Sequence, residues 1–97
     1  MIVTQESEGR ITLRLPEEFN FKQHKLFREC YHRHSPRLLY TIDFQDVTSF
    51  DSSALGMLLL MRSYCGDAEA RIRLINCNQR IRGILLTATF DHYFQIL

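Results

Sequence analysis

Little in this chain would keep it from packing. Its 97 residues include only two prolines and four glycines, which excludes a disordered, collagen-like or low-complexity polymer. No charge of one sign dominates: 12 basic residues face 11 acidic ones, and each half of the chain is balanced as well. Such a surface has no strong field to draw in nucleic acid or anionic lipid. The three cysteines, Cys30, Cys65 and Cys77, are odd in number and unpatterned, which argues against a disulfide framework and fits reduced thiols in a cytosol. No signal peptide is expected, because Glu6, Glu8 and Arg10 interrupt any apolar start, and the longest apolar run, Met57 to Met61, is far too short to span a bilayer. What is present is 45% hydrophobic and 24% charged. A chain of this length buries roughly two-thirds of its unfolded surface, enough for one domain over residues 1–97 without metal or disulfide staples.

Periodicity divides the chain into short elements. Met1 to Thr4 favours a strand, Glu8-Gly9 a turn, and Arg10 to Leu15 alternates polar and apolar, so a hairpin opens the fold and Pro16 ends it. Asn20 with Gln23 forms a capping-box pattern before a helix carrying Phe27, Cys30, Tyr31 and His34, which must stop before Ser35-Pro36. Leu38 to Phe44 is a strand apolar on both faces until Asp43, the pattern of a central strand covered on each side by helices. A helix follows from Asp51-Ser52-Ser53 to about Tyr64, closed by Gly66-Asp67. Then come a strand at Arg71 to Ile75, a helix capped by Asn78 and a last strand at Phe94 to Leu97. The order ββαβαβαβ is an α/β fold with a mixed sheet: parallel strands joined by helix crossovers behind an antiparallel opening pair.

Chemistry concentrates at the start of the second helix. Asp51-Ser52-Ser53 places a serine hydroxyl where the first backbone N–H groups lack partners and the helix dipole favours negative charge. The same residues also suit a plain N-cap. Gly56 in the first turns is worse than alanine by roughly 0.5–1 kcal/mol, which points either to close approach by another molecule or to tight packing within the domain. The helix carries two apolar stripes. Leu55, Leu58 and Leu59 suffice to bury it on a sheet; Met57, Leu60, Met61 and Tyr64 then meet a partner or a neighbouring helix.

The run from Ile42 to Leu59, an apolar strand, an Asp, a short loop and Asp51-Ser52-Ser53-Ala54-Leu55-Gly56 opening a helix, resembles the signature of the STAS domain, the anti-sigma factor antagonist family. Asn78 to Leu85 and Thr87 to Ile96 are similar to its third helix and last strand. Ala54 stands where the family usually has glycine, and Leu15-Pro16-Glu17-Glu18-Phe19 replaces its Gly-Glu-Leu-Asp-like turn. The resemblance implies a STAS-like sheet with helices packed on it and a cytoplasmic, non-enzymatic switch protein. It also implies phosphorylation at Ser52, with Ser53 as the alternative acceptor, by a serine-protein kinase that is often the anti-sigma factor itself, and reversal by a serine phosphatase. The partner face would comprise Asp51, Ser52, Ser53, Gly56, Met57, Leu60, Met61 and Tyr64. The alternative is a constitutive STAS regulatory or scaffold subunit, for instance of a transporter ATPase, with both serines only capping the helix.

Other constellations carry less. His24, Cys30, His32 and His34 lack metal-ligand spacing, so no metal or other cofactor is expected. Ser52 lies in no Gly-x-Ser-x-Gly elbow. Asp43, Asp46 and Asp51 follow a central strand as in Mg²⁺ or aspartyl-phosphate sites, but without a lysine or glycine-rich loop to complete one they read as solvated loop acids. Arg71, Arg73, Arg80 and Arg82 read as a solvated basic patch rather than a nucleic-acid surface.

Overall fold

The alternating segment Arg10–Arg14 (β2) pairs antiparallel with Val3–Ser7 (β1), in a computed structural model that describes residues 1–97. Gly9 turns the hairpin at φ +68, a left-handed conformation that favours glycine. Glu18–Phe19 (β3) follows, and a 3-10 turn at Phe21–Gln23 leads into His24–His32 (α1). Next are Leu39–Asp43 (β4), Ser49–Phe50 (β5), Ser52–Tyr64 (α2), Ile72–Ile75 (β6), Gln79–Thr87 (α3) and Gln95–Ile96 (β7). The main sheet has the order β1-β2-β4-β6-β7 and is parallel from β2 onward. The capping box at Asn20 forms as the sequence requires: Asn20 accepts from the Lys22 backbone N–H, and the Gln23 side chain accepts from that of Asn20. It starts the 3-10 turn, which the α-helix then continues.

Register explains the core. Ile11, Tyr40 and Ile72 form one row across the sheet, and Leu13, Ile42 and Leu74 the next; all six are buried. Against them pack Phe27 and Tyr31 of α1, Ala54, Leu58 and Met61 of α2, and Ile81 and Leu85 of α3. The strand order advances in one direction from β2 to β7, and crossovers of one hand advancing one way leave every helix on the same face. The sheet is therefore covered on one side only. That corrects the expectation for β4, which is central but not sandwiched: Thr41 and Asp43 face the open side. Thr41 is buried there beneath the long side chain of Arg73, whose Nη2 donates to its hydroxyl at 3.1 Å.

β3 and β5 were not expected from the sequence. They make a separate two-stranded parallel ribbon, Glu18 opposite Ser49 and Phe19 opposite Phe50. Two-residue strands are too short to show a period, and only the chain crossing brings them together. The segment that departs from the family's usual turn thus folds as the brace behind the start of α2.

Candidate functional site

The loop from Phe44 to Asp51 is fixed before α2 begins. The Phe44 N–H donates to the Ile75 carbonyl at 2.9 Å, and the N–H groups of Thr48 and Ser49 both donate to the Glu17 carbonyl, at 2.8 and 3.0 Å. Phe50 is buried against Phe44 and Phe19, ring centroids 5.8 and 6.4 Å apart, and Phe19 meets Phe27 edge-on at 5.0 Å. Aromatic packing immediately before Asp51 gives the N-terminus of α2 a rigid base.

The loop acids have structural partners. Arg14 grips Asp46 with both ends of its guanidinium, Nε to Oδ2 at 2.8 Å and Nη2 to Oδ1 at 3.1 Å. That contact, above all its hydrogen bond, holds the Asp46 carboxyl below the usual carboxylate range. Asp43 Oδ1 accepts from the Gln45 backbone at 2.9 Å and from the Asn76 side chain at 3.0 Å. These carboxylates tie strand ends together rather than standing as solvated loop acids. In the basic patch, Arg80 donates to the Thr48 carbonyl at 3.0 Å and Arg73 covers Thr41, so two of its four arginines serve internal bonds.

Asp51 is the N-cap of α2. Its Oδ1 accepts from the backbone N–H groups of Ser53 and Ala54, at 3.0 and 3.4 Å, and from the Ser53 hydroxyl at 2.5 Å. The Ser53 hydroxyl bond, with the backbone donors behind it, lowers the pKa of Asp51. Ser53 is half-buried, whereas Ser52, on the first turn of the same helix, is exposed and its hydroxyl has no hydrogen-bond partner within the chain. Capping is complete without Ser52.

The two apolar stripes of α2 divide differently from the sequence expectation. Ala54, Leu58 and Met61 point into the core, and Met57 is also buried. α1 packs alongside: Tyr64 lies 5.3 Å from Tyr31, stacks on His32 at 4.3 Å, and donates its hydroxyl to the His34 carbonyl at 2.6 Å. Met61 is therefore turned fully into the core and Tyr64 lies against α1, while Met57, though buried, lines the cleft between the two helices. Leu60, 65% exposed, does face outward, and so does Leu59, 39% exposed, which was expected inside. Phe21 adds a third exposed apolar side chain, 64% exposed, across a groove from Gly56, Leu59 and Leu60. Sequence reasoning missed Phe21 and Leu59. The signal for Leu59 was available, since placing Ala54, Leu58 and Met61 (i, i+4, i+7) inward turns it about 130° away from their mean direction. Gly56 is exposed and a Cβ there would meet nothing within 4 Å, so packing inside the domain does not require it.

The histidine and cysteine candidates are scattered. His24 stacks on Phe21, His32 on Tyr64, and His34 Nδ1 lies 3.5 Å from a Glu6 oxygen, while Cys30 is buried in the core. No three His, Cys, Asp or Glu side chains converge where they could hold a metal ion. Burial pushes the Cys65 and Cys77 thiols up to about 11, away from the reactive thiolate form. No helix is long and apolar enough to cross a membrane.

This arrangement of sheet, loop and capped helix has known relatives. Residues 2–97 match the family model described as Mlab, STAS domain. A STAS-domain containing protein of Pseudomonas aeruginosa strain UCBPP-PA14 is 41% identical over 88 residues, covering 89% of this chain and 86% of that protein. Among solved structures, TM1081 of Thermotoga maritima, a candidate anti-sigma factor antagonist, superposes with a TM-score of 0.82 at 18% identity, over 98% of this chain and 84% of that one. The anti-sigma factor antagonist SpoIIAA in its unphosphorylated form gives 0.73 at 14% identity, over 100% and 87%. The phosphorylated form of SpoIIAA, from Bacillus, gives 0.69 at 12%, over 100% and 91%. At such identities the superpositions establish a shared fold. Family model, close relative and fold agree: the chain belongs to the STAS domain family.

Proposed function

We propose that the protein is an anti-sigma factor antagonist switched by phosphorylation of Ser52. Unphosphorylated, it binds an anti-sigma factor or similar regulator and so frees a sigma factor; a serine-protein kinase adds the phosphate and a serine phosphatase removes it. The protein is the substrate of the switch and supplies no catalysis, and its partners are cytoplasmic proteins rather than nucleic acid or membrane. The observation that carries this reading is the free Ser52 hydroxyl, exposed beside a cap that Asp51 and Ser53 complete between them. It favours Ser52 over Ser53 as acceptor, because phosphorylating Ser53 would break the bond to Asp51.

Electrostatics favour a binding switch over a folding switch. A phosphate adds about −1.5 to −2 charge. At a helix N-terminus that charge is stabilising by about 0.3–1 kcal/mol, so the fold tolerates it. Held about 4 Å from a like charge in an interface of effective dielectric near 20, one unit of charge costs roughly 4 kcal/mol, nearly a thousandfold in affinity. The partner surface on this reading is Asp51, Ser52, Ser53, Gly56 and Leu60, extended by Leu59 and Phe21.

A second reading, a constitutive regulatory or scaffold subunit such as that of a transporter ATPase, draws support from the exposed Phe21, Leu59 and Leu60, which could hold a fixed partner without any modification. Intact mass after incubation with the cognate kinase and ATP separates the two. One added phosphate, abolished in Ser52→Ala and retained in Ser53→Ala, supports the switch; no added mass supports the constitutive subunit.

A further inference from the structure

The groove left open between α1 and α2 is lined by no carboxylate. The flank of α1 that lines it carries His24, Arg28 and His32, at i, i+4 and i+8, so its one formal charge is the Arg28 guanidinium and two exposed imidazoles stand beside it. The apolar floor is Phe27, Tyr31 and Met57, with Leu60 as the facing wall. Past His24, Met57 and Leu60 the same surface runs on to Gly56 and Ser53, at the end of α2 that carries Ser52.

We infer that this groove takes an amphipathic helix of the partner protein whose flanking side chains are carboxylates, an inference that rests on the Ser52 switch proposed above. A helix laid in a groove seats its apolar side chains at i, i+3 or i+4 and i+7, and glutamates beside them meet Arg28 and the two imidazoles. Charge complementarity of this kind selects partners more than it adds affinity. It also disfavours a second copy of this chain as occupant, since two such surfaces would oppose like charges. The direction of the switch follows: a phosphate on Ser52 places negative charge at the end of a groove meant for a negatively charged helix, whereas a basic helix would be attracted by it.

Two synthetic helical peptides with the same leucine spacing, one flanked by glutamates and one by lysines, test this by titration into the isotope-labelled, unphosphorylated full chain. The glutamate peptide is expected to bind roughly tenfold more tightly, with amide shifts centred on α1 and α2. Arg28→Glu should reverse the preference; Arg28 is exposed and makes no hydrogen bond within the chain, so the fold survives the change. Equal binding of the two peptides, binding of neither, shifts centred on the open sheet face, or a dimer dissolved by Leu60→Asp would each overturn the inference. Ser52→Asp reports separately on the switch. If it leaves the glutamate peptide's affinity unchanged while Arg28→Glu reverses the preference, the groove inference holds and the phosphoswitch fails.

Discussion

The Ser53 hydroxyl donates to Asp51 Oδ1 at 2.5 Å, closing the N-terminus of α2 with two side chains and leaving the serine between them unbound. Neighbouring serines thus have opposite roles. One is part of the cap; the other presents a hydroxyl beside a rigid loop, at a position where an added phosphate stabilises the helix it modifies.

Ser52→Ala is expected to bind the partner whether or not the kinase is present, with stability within about 0.5 kcal/mol of the parent because no bond is lost. Ser52→Asp should weaken binding by about tenfold or more, carrying a smaller charge than phosphate. Calorimetric titration against the partner recovered by pull-down measures both. Parent-like affinity in both variants would contradict the switch.

Gly56→Ala separates stability from function. Since the added methyl meets nothing and alanine is the better helix former, the domain should gain about 0.5–1 kcal/mol in urea unfolding. Partner affinity should nevertheless fall, if glycine is kept there so that another chain can approach the backbone. A gain in stability with unchanged affinity would remove Gly56 from the interface.

Met61 and Leu60 are adjacent and should behave oppositely. Met61→Ala empties a fully buried site and should cost about 2–5 kcal/mol of stability. Leu60→Ala should change stability by less than about 0.5 kcal/mol and reduce partner binding. Chemical denaturation of the two variants, run beside the binding titration, tests the corrected assignment of the α2 faces.

Acid should weaken the loop that carries the site. Asp46 and Asp51 titrate below the ordinary carboxylate value of 3.8, held there by the Arg14 bond and the Ser53 hydroxyl bond respectively. A carboxyl whose pKa is lower in the folded state contributes stability above its unfolded value and loses it as the pH falls through the folded one. The urea midpoint should therefore drop as the pH falls below 3.8. Asp46→Asn with Asp51→Asn should flatten that drop, and an unchanged pH profile in the double variant would show that other groups set it.

How far the sequence could be read depended on the range of each interaction. Caps at Asn20 and Asn78, the Gly9 turn and the extent of α2 depend on neighbours a few residues apart, and all are found where the spacing places them. The place of Asp51, Ser52 and Ser53 at the start of α2 was legible for the same reason. The β3–β5 ribbon was not, because Glu18 and Ser49 lie far apart in the chain and each strand is only two residues long. Nor could composition tell which stripe of α2 meets α1: both are apolar, and Tyr64 pairs with Tyr31, His32 and His34 only once the two helices are side by side. The apolar run of β4 suggested cover on both faces, but one-directional strand order leaves that strand's second face to Thr41 and an arginine.

The most direct measurement compares one purified partner against the unphosphorylated chain and the chain carrying a single phosphate on Ser52, under the same salt. The expected result is tight binding to the first and a loss approaching a thousandfold for the second, with the folded structure of both forms intact by amide spectra. Equal affinities for the two forms, or a loss traced to an unfolded α2, would contradict the account.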